Sequence, residues 1–278
     1  MRRLSNWLLA VFVVTLTACS PAERQEIQAP EHGVTEAEMT DVQASHCQLT
    51  MGFESWEPYQ YLSPGGEVGG VDFEIAQQAF SHMNCTLRVE QGSWMELLEL
   101  LQNGDIDFLM GASRTEAREQ FAYFSVPYRD EQFSLFVRGD RRNRFDQSTV
   151  EEFVAAGYRV GVVNEYYYGE ELQSLMYDSD YTSQFIGSMI NELNVARVLD
   201  GEIDGFLEDN LVASSIIRRR GLGALIDQHA ISLPSTEVYV MFSRASVDDE
   251  FVEQFNDALQ VLVDDGYIEH VIARYSIY

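Results

Sequence analysis

The sequence predicts an α/β protein of two lobes, each a mostly parallel sheet flanked by helices, and three observations carry that reading. The first is Gly104-Asp105-Ile106-Asp107-Phe108-Leu109-Met110, with an echo at Gly201-Glu202-Ile203-Asp204-Gly205-Phe206-Leu207-Glu208. The second is that each copy follows an amphipathic segment, residues 94–102 and 191–200. A helix that ends on glycine and returns as a short apolar strand is the crossover half of a parallel βαβ unit. The third is a pair of extended segments, 132–137 and 231–236, which read as a two-stranded hinge. Lobe one then comprises residues 45–133 and 236–278, and lobe two 134–235, with a cleft between them.

The amino-terminal residues read as a targeting segment. Arg2 and Arg3 precede an apolar run at 8–16 that is too short to span a bilayer and sits where a secretory signal lies. Leu16-Thr17-Ala18-Cys19 resembles a bacterial lipobox, which implies removal of residues 1–18 and lipidation of Cys19. Residues 19–44 are polar, contain Pro21, Pro30 and Gly33, and read as a flexible tether from the membrane. Export permits a disulfide, so Cys47 and Cys85 either pair or remain as two buried thiols. A bridge closing a loop of that length contributes about 2–4 kcal/mol in the chain-entropy picture.

The folded part begins with an apolar-leaning strand at 47–53, followed by a loop rich in aromatic residues (Trp56, Tyr59, Tyr61) and glycine. Residues 71–83 have helical spacing through Phe73, Ile75, Ala76, Ala79 and Phe80, and 85–89 alternate as a second strand. After the helix at 94–102 and the strand at 108–111, Thr115 with Arg118 and Glu119 reads as a helix start. An arginine in a first turn is disfavoured by the helix dipole. Beside free backbone N–H groups it makes a carboxylate pocket, although an ordinary solvent-facing arginine fits the sequence as well.

The aromatic stretch 121–128 leaves lobe one, and the strand at 132–137 enters lobe two. A helix at 148–156 with Ser148 as cap leads to a strand at 158–163. Glu165 and the run Tyr166, Tyr167, Tyr168 then lie at a strand C-terminus, where α/β clefts form. The three tyrosines either line the cleft or pack the following helix. The strand at 203–207 delivers Glu208, Asp209 and Asn210, which read as an ammonium or metal receptor or as a generic acidic loop. A helix at 213–220, a strand at 238–242 and helices at 248–263 and 267–275 complete the chain.

Charge narrows the partners. The 278 residues carry 45 acidic and 18 basic groups, a formal charge of -27, and lysine is absent. Such a surface repels phosphate backbones, and neither arginine cluster (138–144, 218–220) has interleaved aromatics, so nucleic acid is not an expected partner. His46, His82, His229 and His270 are scattered, and none adjoins a nucleophile motif. No catalytic residue, metal or cofactor is expected. Glu54, Glu165 and Asp209 are the carboxylates that a cleft enzyme such as a dehydratase would use.

Several ordered motifs resemble the family-3 extracellular solute-binding proteins: Gly69-Gly70-Val71-Asp72-Phe73-Glu74, Leu101-Gln102-Asn103-Gly104-Asp105-Ile106-Asp107, Thr115-Glu116-Ala117-Arg118, Phe124-Ser125-Val126-Pro127-Tyr128 and Gly201-Glu202-Ile203-Asp204-Gly205. The resemblance covers about residues 45–276. It implies a type II periplasmic-binding-protein fold that captures a small polar solute and passes it to an ABC-type permease. It further implies that Arg118 holds a ligand carboxylate, with Ser113 and Thr115 completing the anion pocket. Phe53 or Trp56 would stack on the ligand, and Asp209 would accept its ammonium. One departure stands out. Where the family has glycine followed by threonine or serine, this chain has Glu165-Tyr166, which points to a basic amino acid, a cationic amine or an aromatic solute. A ligand-sensing accessory lipoprotein serving a membrane signalling partner would read the same way.

Overall fold

The computed structural model describes residues 47–276. The expected signal segment, Cys19 and the tether lie outside the described residues. Strand β1 (Gln48–Phe53) opens lobe one, and a small hairpin, β2 (Tyr61–Leu62) with β3 (Val68–Gly69), follows. Helix α1 (Val71–His82) starts after Gly70, whose φ of 119° and whose close approach to Tyr59 leave no room for a side chain. Its stripe of Val71, Ile75, Ala76, Ala79 and Phe80 is buried. Strand β4 (Thr86–Gln91) pairs parallel with β1 at the sheet edge, which is why Val89 is exposed despite the alternation around it. The choice left open for the cysteines resolves as a Cys47–Cys85 disulfide, clipping the start of β1 to this edge strand.

Helix α2 (Trp94–Asn103) has a capping box between Ser93 and Glu96 and ends on Gly104 in the left-handed conformation, with β5 (Phe108–Ala112) returning alongside β1. The short helix α3 (Glu116–Glu119) and strands β6 (Ala122–Phe124) and β7 (Arg129–Glu131) complete the first passage through lobe one. Strand β8 (Phe133–Arg138) enters lobe two. There the chain forms α4 (Val150–Ala155), β9 (Val160–Val163), α5 (Glu170–Tyr177), β10 (Phe185–Ser188), α6 (Asn191–Asp200), β11 (Gly205–Asp209), α7 (Asn210–Arg219) and β12 (Ile226–Ser232). The cap of α4 is Thr149; Ser148 instead donates its backbone N–H to Glu152. Strand β13 (Thr236–Ser243) returns to lobe one, followed by α8 (Asp249–Asp264) and α9 (Tyr267–Ser276).

The two sheets run β4-β1-β5-β13-β6, with β7 also on β13, and β10-β9-β11-β8-β12. Each has three parallel strands and then antiparallel ones, because the strands that carry the chain between lobes enter against the local direction. The repeated glycine-x-isoleucine-aspartate segment does the same work in both. Gly104 and Gly201 cap α2 and α6 with positive φ. Ile106 and Ile203 are buried against Gly52 and Gly161 of the first parallel strand, where a Cβ would collide with each isoleucine Cδ1. Asp107 accepts from the Thr50 N–H at 2.7 Å, and Asp204 from the Arg159 N–H at 2.9 Å.

Two antiparallel crossings form the hinge. Glu131 is registered with Thr236 and Ser134 with Ser232, and the Leu233 N–H donates to the Phe133 carbonyl at 2.8 Å between them. The architecture is that of a type II periplasmic-binding protein. Among the described residues, no helix is long and apolar enough to cross a membrane.

Candidate solute-binding cleft

The cleft floor on lobe one is built on a buried ion pair. Asp72, in the first turn of α1, meets Arg129 of β7 side-on, at 2.9 Å to Nε and 3.1 Å to Nη2. Gln60 donates to the same carboxylate at 3.1 Å. Such a pair survives burial only with this many hydrogen bonds. The Arg129 guanidinium also lies 3.7 Å from the Tyr59 ring centroid and 5.6 Å from that of Trp56. It is therefore committed to holding the aromatic loop after β1 in place. Gly111, with φ of 72°, brings the end of β5 against this pair.

Above the floor lies a cavity of about 30 Å³. Glu54, Trp56, Trp94, Ser113, Arg118 and Glu131 of lobe one line it, and Phe133, Tyr166 and Tyr167 close it from the hinge and lobe two. Arg118 is positioned by α3, whose N-cap Thr115 accepts from the Arg118 N–H. Its guanidinium donates to the Ser113 carbonyl at 2.8 Å and, across the cleft, to the Glu165 carbonyl at 2.7 Å. It sits 5.4 Å from the Trp94 ring centroid. Burial pulls its pKa down to about 10, which leaves it charged at neutral pH. Five N–H donors against two such bonds leave it able to grip an anion.

Carboxyl groups face it. Burial pushes Glu131 up to about 8 and Glu54 up to about 7. Glu131 accepts from the Ser113 hydroxyl at 3.4 Å, and Glu54 from the Tyr166 hydroxyl at 2.6 Å. Burial also raises Glu208 well above the usual carboxylate range; it accepts from Trp56 Nε1 at 3.3 Å, tying lobe two to lobe one. One arginine and two acids with shifted proton affinity, walled by Trp56, Trp94, Tyr166 and Tyr167, suit a solute that carries both a carboxylate and a cation.

The residues expected from sequence divide into those brought to the cavity and those placed elsewhere. Arg118, Ser113, Trp56 and Tyr166 line it. Phe53 does not: its ring is buried in the lobe-one core, because β1 turns it to the opposite face. Thr115 acts as the α3 cap. Glu165 has an exposed side chain and φ of 64°, and it is its carbonyl that meets Arg118. Asp209 caps α7, accepting from Leu211 N–H at 2.9 Å and Val212 N–H at 3.1 Å, with Gln132 N–H on its other oxygen at 3.4 Å. It does not line the cavity. The tyrosine run splits: Tyr166 and Tyr167 line the cleft, and Tyr168 is buried against Phe133 with its hydroxyl on the Val163 N–H.

Sequence reasoning missed Glu131, Trp94 and the Asp72–Arg129 pair, and gave Glu54 no binding role. Glu131 sits in a hinge strand with no periodicity of its own, and Trp94 is masked by an amphipathic helix pattern. A buried acid flanked by Asp130 and Gln132 offers no local signal.

Residues 49–277 match the family model described as bacterial extracellular solute-binding proteins, family 3. A curated relative, "Probable histidine-binding protein" of Neisseria gonorrhoeae, is 25% identical over 225 residues, covering 78% of each chain. A solved histidine kinase sensor domain with similarity to periplasmic binding proteins superposes with a TM-score of 0.72 at 19% identity, covering 83% of this chain and 96% of that one. An ancestral arginine-binding protein bound to arginine gives 0.70 at 19% identity, covering 82% and 97%.

Proposed function

The chain belongs to the bacterial extracellular solute-binding proteins of family 3, and from that premise we propose that it captures a small cationic or zwitterionic solute of the amino-acid type. Closure of the two lobes about the hinge would enclose the solute in the periplasm and present it to an ABC-type permease. The family and fold are those of non-catalytic solute-binding proteins. The observation that carries the choice of solute is the pairing of buried Arg118 with Glu54 and Glu131 inside an aromatic wall. Arg118 supplies a bidentate donor for a carboxylate. The acids and the indole faces supply what a cation seeks. The histidine-binding relative and the arginine-bound structure of the same fold agree with that chemistry.

A thermal-shift screen against amino acids, amines and dicarboxylates tests this. A basic amino acid at about a thousand times its Kd stabilises by about 4 kcal/mol, a rise of several degrees in Tm, and Arg118→Ala abolishes the rise. A dicarboxylate as the sole hit, or an amino-acid hit insensitive to Arg118→Ala, overturns the assignment. The sensor domain of the same fold supports a second readout, in which a membrane signalling protein reads the closed form. Co-purification with a permease or with a kinase separates the two.

The amino-terminal expectations stand as proposals on the same footing. Cys47 and Cys85 are bridged, which leaves Cys19 as the remaining cysteine for lipid attachment. Labelled palmitate enters the wild-type chain and not Cys19→Ser; equal labelling of both removes the anchor.

A further inference from the structure

The lobe-one sheet ends in a bare strand. Strand β4 pairs with β1 on one side and, among the described residues, has no neighbour on the other. Every residue of it except Leu87 is exposed, Val89 at 39%, so most of the strand is solvated on both faces. Such an edge is a template for a further strand. Pairing with β1 and the Cys47–Cys85 bridge hold it in a fixed register.

The pairing decides which backbone groups face outwards. The Thr86 N–H donates to the Cys47 carbonyl at 2.8 Å, and the Gly92 N–H to the Phe53 carbonyl at 3.2 Å. A residue's N–H and C=O leave a strand on the same side, and the side alternates along it. Thr86, Arg88 and Glu90 therefore direct their backbone groups at β1, and Leu87, Val89 and Gln91 present theirs to the free edge.

Side chains select what can pair there. Arg88 and Glu90 stand beside Thr50 and Gly52 of β1, and among the described residues neither has an ion-pair partner. A second copy of β4, antiparallel about a two-fold axis at Val89, sets Val89 against itself and Leu87 against Gln91 of the second copy. Those are hydrogen-bonded pairs, with about six backbone bonds in all. Arg88 then faces Glu90 of the second copy in the closer, non-hydrogen-bonded pairs, where opposite charges attract. Moving the axis by one residue sets Arg88 against Arg88 or Glu90 against Glu90 and shortens the ladder. Charges on an edge strand ordinarily guard it against pairing. Here they guard against the neighbouring registers and favour the one that uses the whole strand.

We propose that β4 is a homodimer interface. Two copies of this chain join their lobe-one sheets edge to edge about a two-fold axis at Val89, with Arg88 and Glu90 in reciprocal ion pairs. The formal charge of -27 opposes association at long range, and physiological salt, with a Debye length of about 8 Å, screens that repulsion.

Sedimentation equilibrium of the full chain at about 0.15 M salt, from about 5 to about 200 µM, tests this. Every protein carries Cys19→Ser, so that a lipid anchor does not itself drive association. The expected result for the otherwise unchanged chain is a monomer–dimer equilibrium. Arg88→Glu and Glu90→Arg each put like charges together at both contacts and weaken the dimer at least about tenfold, although they move the net charge in opposite directions. Both positions are exposed, so each variant keeps the Tm of the parent. The double reversal restores the dimer to within about threefold, because the pairs re-form with their signs exchanged. A chain that is monomeric at about 200 µM overturns the proposal, whether its edge stays bare or is covered by its own amino-terminal residues. A dimer that the single reversals leave intact lies elsewhere, and one that the double reversal fails to restore uses another register; either result also overturns it.

Discussion

Glu131 and Glu54 keep their protons into the neutral range because each carboxyl is buried, and desolvation outweighs the one hydroxyl donated to it. The folded-state affinities, about 8 and about 7, stand above the ordinary 4.5, so the folded chain holds protons that the unfolded chain releases. Stability from these groups is therefore fully present below pH 4.5 and is lost as pH rises towards 7 and 8. Tm falls across that interval, and Glu131→Gln flattens the fall, adding several degrees at pH 8. A melting series from pH 5 to pH 8.5 checks it; parallel curves for the two proteins would count against the buried acid. A cationic solute favours the ionised carboxylates, so its affinity rises with pH over the same range, with proton release visible as a buffer-dependent binding enthalpy.

At the scale of elements, the clearest case is the junction of β11 and α7. Asp209 ends the strand where the family resemblance expects an ammonium receptor, yet the helix starts at once and its first free N–H groups occupy the carboxylate. Asparagine caps nearly as well as aspartate, so Asp209→Asn separates cap from charge. The expected outcome is a stability change of a few tenths of a kcal/mol and an affinity within about threefold of wild type, read by melting and calorimetry. A tenfold loss of affinity at unchanged Tm would restore the ammonium role. The same junction shows what was legible in the sequence. Glycine stops followed by Ile106 and Ile203 announced two crossover units because a left-handed cap and a core isoleucine are local requirements. Strand β10 was missed: Phe185, Ile186, Gly187 and Ser188 form a short edge strand with no alternation, stabilised by pairing with β9. Within the site, Arg118 was legible because a cation in a first helical turn conflicts with the dipole and so asks for a reason. Glu131 was not, because its burial arises from the meeting of two lobes far apart in sequence.

For the whole molecule, the question is what holds the lobes together. Tyr166 to Glu54, Trp56 to Glu208, Arg118 to the Glu165 carbonyl, and Glu57 with Ser215 and Arg219 all span the cleft. Removing one hydroxyl from this set costs about 1 kcal/mol, roughly a fivefold shift between lobe arrangements. Tyr166→Phe therefore broadens the lobe-to-lobe distance towards longer values, as measured between spin labels placed on α1 and α6. An unchanged distribution would mean that the remaining contacts alone set the arrangement.

The sheet order has a consequence for biogenesis. Strand β13 lies between β5 and β6, so the lobe-one sheet lacks an interior strand until Ser243 has been made or exported. The lobe-two sheet draws its strands from one uninterrupted stretch, β8 through β12. A chain emerging from its amino terminus can thus finish its second lobe first and must keep the earlier strands unassembled meanwhile. A nascent chain halted after β12 would show a protease-resistant second lobe beside a sensitive first one, and extension through β13 would make the first lobe resistant as well.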